Sequence, residues 1–290
     1  MEFWIIILGI VQGITEFLPI SSTAHLILIP YFAKVPDFGL TFNVGIHLGT
    51  FLAVLFYFIK DWIEILMGLF KGGEKRRLLG LILIATIPAG FLGLLLDPIV
   101  EKISQPQTYS FSIWVILLGV ISFGVVFLLL EKQSGKNLEI EDLDYKKALV
   151  IGFWQVLSLF PGVSRSGSTI AGGMFTGLKR ESATKFSFFL SLPIIGGAVF
   201  FKLIDLVKEG SKEFSLIFYG TIISFIVGLL SIHTLLNYVR RASLEVFSYY
   251  RFILALSIIF AFFNLQIISL FVFFMGILYL IIKISASNKK

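Results

Sequence analysis

Hydrophobic runs of membrane-crossing length recur along this chain, at about 43–59, 78–96, 111–130, 186–204, 216–236, 250–264 and 268–284. Each is close to the roughly 20 apolar residues a helix needs to traverse a ~30 Å hydrocarbon core. Two regions break the pattern. Only eleven residues precede Gln12, and the apolar segment that follows His25, Leu26 to Pro30, is again short. The same holds on either side of Pro161 and Gly162, over 147–160 and 170–178. Short hydrophobic segments interrupted by Pro or Gly in corresponding positions of two halves predict broken, re-entrant helices at a binding site. The expected fold is therefore an all-α polytopic membrane protein, with two re-entrant hairpins and about six or seven spanning helices.

The two interrupted regions also match each other. Gly9-x-x-Gln12 corresponds to Gly152-x-x-Gln155 and Ser21 to Ser164, at a constant offset of 143 residues. Three spans separate the hairpins, so the second enters the membrane from the opposite side to the first. That is an inverted repeat, with both polar tips near the midplane. The predicted organisation is a single integral membrane domain over 1–290. Its repeat halves are about 1–130 and 147–264, with a charged connector at 131–146 and an extra C-terminal span at 268–284.

Composition agrees with this reading. The chain is 57% hydrophobic and 14% charged, with a mean hydropathy of +0.94. A soluble domain is nearer 25% charged, so a soluble globular fold is excluded. The absence of Cys excludes disulfides, thiolate metal sites and a Cys nucleophile. Net charge is +6, concentrated in Lys71–Arg77, Lys179-Arg180 and Arg240-Arg241 between hydrophobic runs. Basic loops of this kind set topology by staying in the cytoplasm, so no nucleic-acid partner is expected. Lys283, Lys289 and Lys290 place the C-terminus on the same side. The mixed charges of the connector read as a solvated link, and Glu181 and Lys185 as a surface i,i+4 ion pair.

The chemistry lies in the interruptions, where an ionisable side chain in the membrane is a functional candidate by default. Gln12 and Glu16 share a helix face. Glu16 could relay protons, hold a hard cation such as Mg or Ca, or orient an imidazole. Ser21 is placed as an N-cap, with Ser22, Thr23 and His25 in the helix it starts. Free N–H groups there attract phosphate. Ser22 and His25, three apart, suggest a nucleophile with its general base, or His25 as the attacking group. The second interruption offers Gly162, Ser164, Arg165, Ser166 and Thr169. Arg165 supplies a permanently charged fork matched to phosphate oxygens, the hydroxyls add donors, and the glycines allow close backbone approach to an anion. His47 either lines the site or bonds a neighbouring helix, and His233 is structural.

The segments Gln12-Gly-Ile-Thr-Glu16-Phe-Leu-Pro-Ile-Ser-Ser-Thr-Ala-His25 and Pro161-Gly-Val-Ser-Arg-Ser-Gly-Ser-Thr169 resemble the two motifs of the undecaprenyl-diphosphate phosphatases, the bacitracin-resistance proteins. The likeness extends over most of the chain, including Gly172-Gly173-Met174 and Tyr250-Arg251-Phe252. It implies hydrolysis of a polyprenyl diphosphate to the monophosphate and inorganic phosphate, which recycles the cell-wall lipid carrier and confers bacitracin resistance. It also implies an active site open to the outer face of the cytoplasmic (inner) membrane, and a homodimer. By position, Glu16, Ser22, His25 and Arg165 match the family's essential residues, with Ser164, Ser166 and Thr169 beside the phosphate. The family's first motif often begins with Glu where this chain has Gln12, leaving Glu16 as the one carboxylate for a proton or a divalent cation. A different class has the same architecture: inverted repeats with broken helices also build transporters, so a lipid-phosphate flippase or anion transporter is the alternative.

Overall fold

A computed structural model describes residues 2–35, 38–105, 111–133, 135–209 and 214–287. Lys289 and Lys290 lie outside the described residues. In chain order the helices are α1 (Glu2–Thr15), α2 (Ser22–Ala33), α3 (Gly39–Tyr57), α4 (Ile59–Lys71), α5 (Gly73–Ile103) and α6 (Phe111–Lys132), followed by α7 (Tyr145–Val156), α8 (Arg165–Phe175), α9 (Arg180–Glu209), α10 (Phe214–Arg241), α11 (Glu245–Phe262) and α12 (Gln266–Ser287). Six of these, α5, α6 and α9 to α12, are long and apolar enough to cross a membrane. The pair α3 and α4, bent by 74° at Phe58, makes a seventh if the two are counted as one span. The chain is a multi-pass helical membrane protein, with both short hairpins where the sequence predicts them.

The bend at Phe58 was not expected from the sequence. No Pro or Gly stands there, and the cause is packing: the Phe58 ring lies 5.8 Å from Phe188 and 5.5 Å from Phe189 on α9. Beyond the bend, α4 turns Trp62, Ile65 and Gly68 inward and leaves Ile63, Leu66, Met67 and Phe70 exposed.

Several paired charges lie together where the connector meets the ends of α4, α5, α9 and α10. Arg77 donates to the carbonyls of Glu141 and Leu143. Lys179 pairs with Glu139, Arg240 with Glu181 and Lys185 with Asp61. Thus Glu181 and Lys185 do not pair with each other, because each meets an opposite charge on another helix. The connector is not a free solvated link either. Leu143 is fully buried, and Leu138 exchanges main-chain bonds with Gly177 and Lys179. This clasp joins the start and the end of the α7–α8 hairpin beside these charges. The α1–α2 hairpin comes from the other side, since α3 runs from it towards them. The two hairpins therefore enter in opposite directions.

Their local geometry repeats as well. Ser21 and Ser164 both have positive φ, 74° and 80°, and each caps its helix by accepting from the N–H three residues on, Ala24 and Gly167. Such backbone costs of order 1–3 kcal/mol at a non-glycine residue and persists only where the surroundings enforce it. The packing partners exchange in step: Gly9 of α1 lies against Ile223 of α10, and Gly152 of α7 against Ala85 of α5.

Close helix approach in lipid depends on small residues. Gly49 is the tightest case, since a Cβ there would come within 2.0 Å of Ser224 Oγ and 2.3 Å of the Thr221 carbonyl on α10. Main chain cannot step aside, so Gly49→Ala should destabilise the α3–α10 pair by about 1–3 kcal/mol. A lowered thermal unfolding midpoint in detergent is the expected readout. An unchanged midpoint would show that the two helices separate at no cost.

Candidate active site

The breaks between α1 and α2 and between α7 and α8 meet inside the bundle, and the Glu16 carboxylate is their junction. Glu16 Oε1 accepts from Arg165 Nη2 at 3.0 Å. Glu16 Oε2 accepts from Ser22 Oγ at 2.9 Å and Gln12 Nε2 at 3.1 Å. Ser22 and Arg165 are the first residues of α2 and α8. Two helix N-termini, each the positive end of a dipole, therefore converge on one negative group. Glu16 and Arg165 are largely buried, with side chains 8% and 11% exposed, so the ion pair is shielded from water and lipid.

Two buried polar atoms here have no partner. Arg165 uses Nη2 on Glu16 and Nη1 on the Ser187 carbonyl at 3.4 Å, and its Nε–H is unpaired. The Oε1 of Gln12 is also unpaired, while its Nε2 reaches Glu16 and, at 3.4 Å, Thr50 Oγ1. A free cationic donor and a free carbonyl acceptor flanking one carboxylate suit a ligand that carries both negative oxygens and a hard cation.

The other candidates occupy different places. Ser164 and Ser166 face each other at 3.1 Å, and Ser166 also donates to the Leu18 carbonyl across the junction. Thr169 turns to α9, where its Oγ1 lies 2.6 Å from Ser187 Oγ. Ser21 is a fully buried cap, whereas Thr23 is exposed. Gly162 approaches α6 rather than an open cavity, because a Cβ there would sit 2.3 Å from the Ile116 carbonyl. His47 bonds back to the Asn43 carbonyl of its own helix at 2.8 Å, and lies within electrostatic range of Glu16. His233 is shared between Tyr57 and Asn237 on the periphery.

His25 departs most from expectation. Its Nδ1–H donates to the Ser21 carbonyl at 2.7 Å, and its Nε2 accepts from the phenol Oη of Tyr250 on α11, also at 2.7 Å. Both ring nitrogens are thereby used, and none faces Ser22. Residues three apart on a helix differ by about 60° in direction, which sends Ser22 to Glu16 and His25 to α11. Glu16 accordingly orients Ser22 and not His25.

Sequence reasoning gave no role to Tyr250 or Arg251. Arg251 is fully buried and donates to main-chain carbonyls at both breaks. The available signal was an arginine at the start of a hydrophobic run, an ionisable group placed within a membrane span.

Comparison with known proteins is decisive at this point. The family described as Bacitracin resistance protein BacA matches residues 5–257. The chain belongs to this family. It is 42% identical over 266 residues to the undecaprenyl-diphosphatase of Caldicellulosiruptor bescii, covering 91% of this chain and 98% of that protein. The undecaprenyl-diphosphatases of Moorella thermoacetica and Enterococcus faecalis are 41% and 40% identical, covering 88% and 86% of this chain and 95% and 93% of theirs. The match includes both hairpins and ends before α12, so this last helix lies outside the segment that defines the family.

Proposed function

We propose that this member of the family is an undecaprenyl-diphosphate phosphatase, releasing inorganic phosphate and returning the lipid monophosphate to cell-wall synthesis. The observation that carries the reading is the buried Arg165, with a free Nε–H beside a carboxylate that already holds a hydroxyl. The terminal phosphate of the substrate takes the guanidinium from Glu16 and receives the N–H groups that open α2 and α8. Ser22 Oγ attacks phosphorus as its proton passes to Glu16 Oε2. The bridging P–O bond breaks, and the lipid monophosphate leaves with the proton that Glu16 took from Ser22, so that Glu16 is ionised again. Water then attacks the phosphoserine, Glu16 taking its proton and returning it to Ser22 Oγ as the Oγ–P bond breaks and inorganic phosphate leaves. Protonating Glu16 as Ser22 attacks removes its repulsion with the phosphoryl group during transfer. Phosphoryl transfer asks mainly for positioning and charge stabilisation, which these groups supply. Ser164 and Ser166 add hydroxyl donors at the same junction.

A divalent cation, Mg or Ca, fits the free Gln12 Oε1 together with Glu16. Among the described residues no three acidic or His side chains cluster, so such an ion would be held chiefly by the diphosphate's own oxygens and would neutralise its charge. The basic loops mark the cytoplasm. Because the first hairpin enters from the other side, the reading places substrate access at the outer face of the cytoplasmic membrane. The homodimer implied by the family resemblance belongs to the same proposal.

Purified protein in detergent should release phosphate from undecaprenyl diphosphate. Movement of lipid across vesicles without phosphate release would instead favour a flippase. Acid quenching of turnover with labelled substrate should trap phosphate on Ser22, and Ser22→Ala should abolish that adduct. Phosphate found on His25 would assign the attack to the imidazole and sink the serine mechanism.

A further inference from the structure

A helix break inside a bilayer leaves carbonyl groups that water does not reach, and each is costly unless something donates to it. One side chain, Arg251 of α11, donates to carbonyls at both breaks. Its side chain is fully buried, and all three of its guanidinium nitrogens go to main chain. Nε donates to the Pro19 carbonyl at 2.8 Å, Nη1 to Gly162 at 3.0 Å and Nη2 to Val163 at 2.8 Å. One of these carbonyls belongs to the first break and two to the second. Gly167 makes room for the head group, since a Cβ there would lie 3.1 Å from Nη2. The adjacent Tyr250 holds His25 at 2.7 Å, so one turn of α11 grips both the first break and the helix that follows it.

We propose that Arg251 is a positioning residue for the hydrolytic site, an inference that rests on the functional reading above. Arg251 touches none of the reacting groups. By tying Pro19 to Gly162 and Val163 it fixes the separation of the two breaks, and hence where Ser22 and Glu16 stand relative to Arg165. The task requires a guanidinium. A planar fork presents donors in several fixed directions, whereas a lysine ammonium is a single point on a flexible stem and cannot reach three carbonyls spread over two segments. Loss of the tie leaves phosphate-binding groups present but misaligned. A shift of about 1 Å in such a site costs about 100-fold in rate.

The test compares wild type, Arg251→Lys, Arg251→Ala and Gly167→Ala for phosphate release from undecaprenyl diphosphate. Both kcat and KM are measured, with thermal unfolding followed on the same samples. Arg251→Lys should lower kcat about 100-fold per folded molecule, with KM little changed. Millimolar guanidinium should raise the kcat of Arg251→Ala but not that of wild type, and ammonium should do neither. Gly167→Ala crowds the same head group without removing it and should lower kcat by less while remaining folded. Wild-type kcat in Arg251→Lys would overturn the proposal. So would guanidinium that raises the folded fraction of Arg251→Ala without raising turnover per folded molecule, the signature of a purely structural role. Should neither Arg251 variant fold, Gly167→Ala decides against Ser164→Ala, because the new Cβ also meets Ser164 at 3.1 Å: a kcat below that of Ser164→Ala supports the proposal, and one equal to it or to wild type overturns it. Absence of phosphate release by wild type would reject the phosphatase reading itself, a result distinguishable from any pattern among the variants.

Discussion

Arg165→Ala should lower kcat for undecaprenyl diphosphate by about 1,000-fold or more, the order lost when a preorganised cationic donor is removed from a phosphoryl-transfer site. The same substitution should also destabilise the fold, because it strands Glu16. Breaking a buried ion pair from one side leaves an uncompensated charge, at a cost of about 3–5 kcal/mol for a fully buried pair. Here the partners are 11% and 8% exposed, so the lower end of that range applies. The two effects can be separated. Adding Glu16→Gln to Arg165→Ala removes the stranded charge and should restore the unfolding midpoint, while turnover per folded molecule of Arg165→Ala alone reports the loss of chemistry. Wild-type turnover per folded molecule in Arg165→Ala would make Arg165 a structural partner of Glu16 and no part of the chemistry.

Glu16→Gln alone should have the second largest effect, with an unusual kinetic signature. Loss of the base that accepts the Ser22 proton should lower kcat by about 100- to 10,000-fold. The carboxylate also competes with phosphate for Arg165, since it accepts from Nη2 at 3.0 Å. Glutamine at this position ends that competition. KM should therefore hold or fall, and inorganic phosphate should inhibit the variant more strongly than wild type. A raised KM with kcat preserved would mean that Glu16 binds substrate and takes no part in proton transfer.

Much of this arrangement was legible in the sequence, because the features concerned are local. Too few apolar residues stand on either side of Pro19 and Pro161 for a crossing, which forces re-entry. The offset linking Ser21 to Ser164 carries directly into two serines with the same positive-φ cap. Arg165 and Glu16 were identifiable as charges that membrane burial leaves in need of partners, and each turned out to be the other's. What escaped was set by tertiary packing. The bend at Phe58 comes from aromatic contacts with α9, over 100 residues away, and carries no breaker residue. Glu181 and Lys185 satisfy the i,i+4 rule, yet Arg240 and Asp61 lie closer to hand. Spacing put His25 with Ser22, but a partner on α11, 225 residues along the chain, draws the ring away.

α12 has a bearing on all of this, though it lies beyond the family match. Only 17% of its most apolar stretch is buried, against 56% for α11, so it stands at the rim of the bundle. Reciprocal bonds between Ser257 and Ser269, at 2.9 to 3.1 Å, hold the two together, and Gly276 sits close against Ile253. Without α12, the outer side of α11 would be a boundary with fluid acyl chains. With α12 in place, the helix that carries Tyr250 and Arg251 has protein on that side as well. The last helix works as cladding for the helix whose Arg251 ties the two interruptions together.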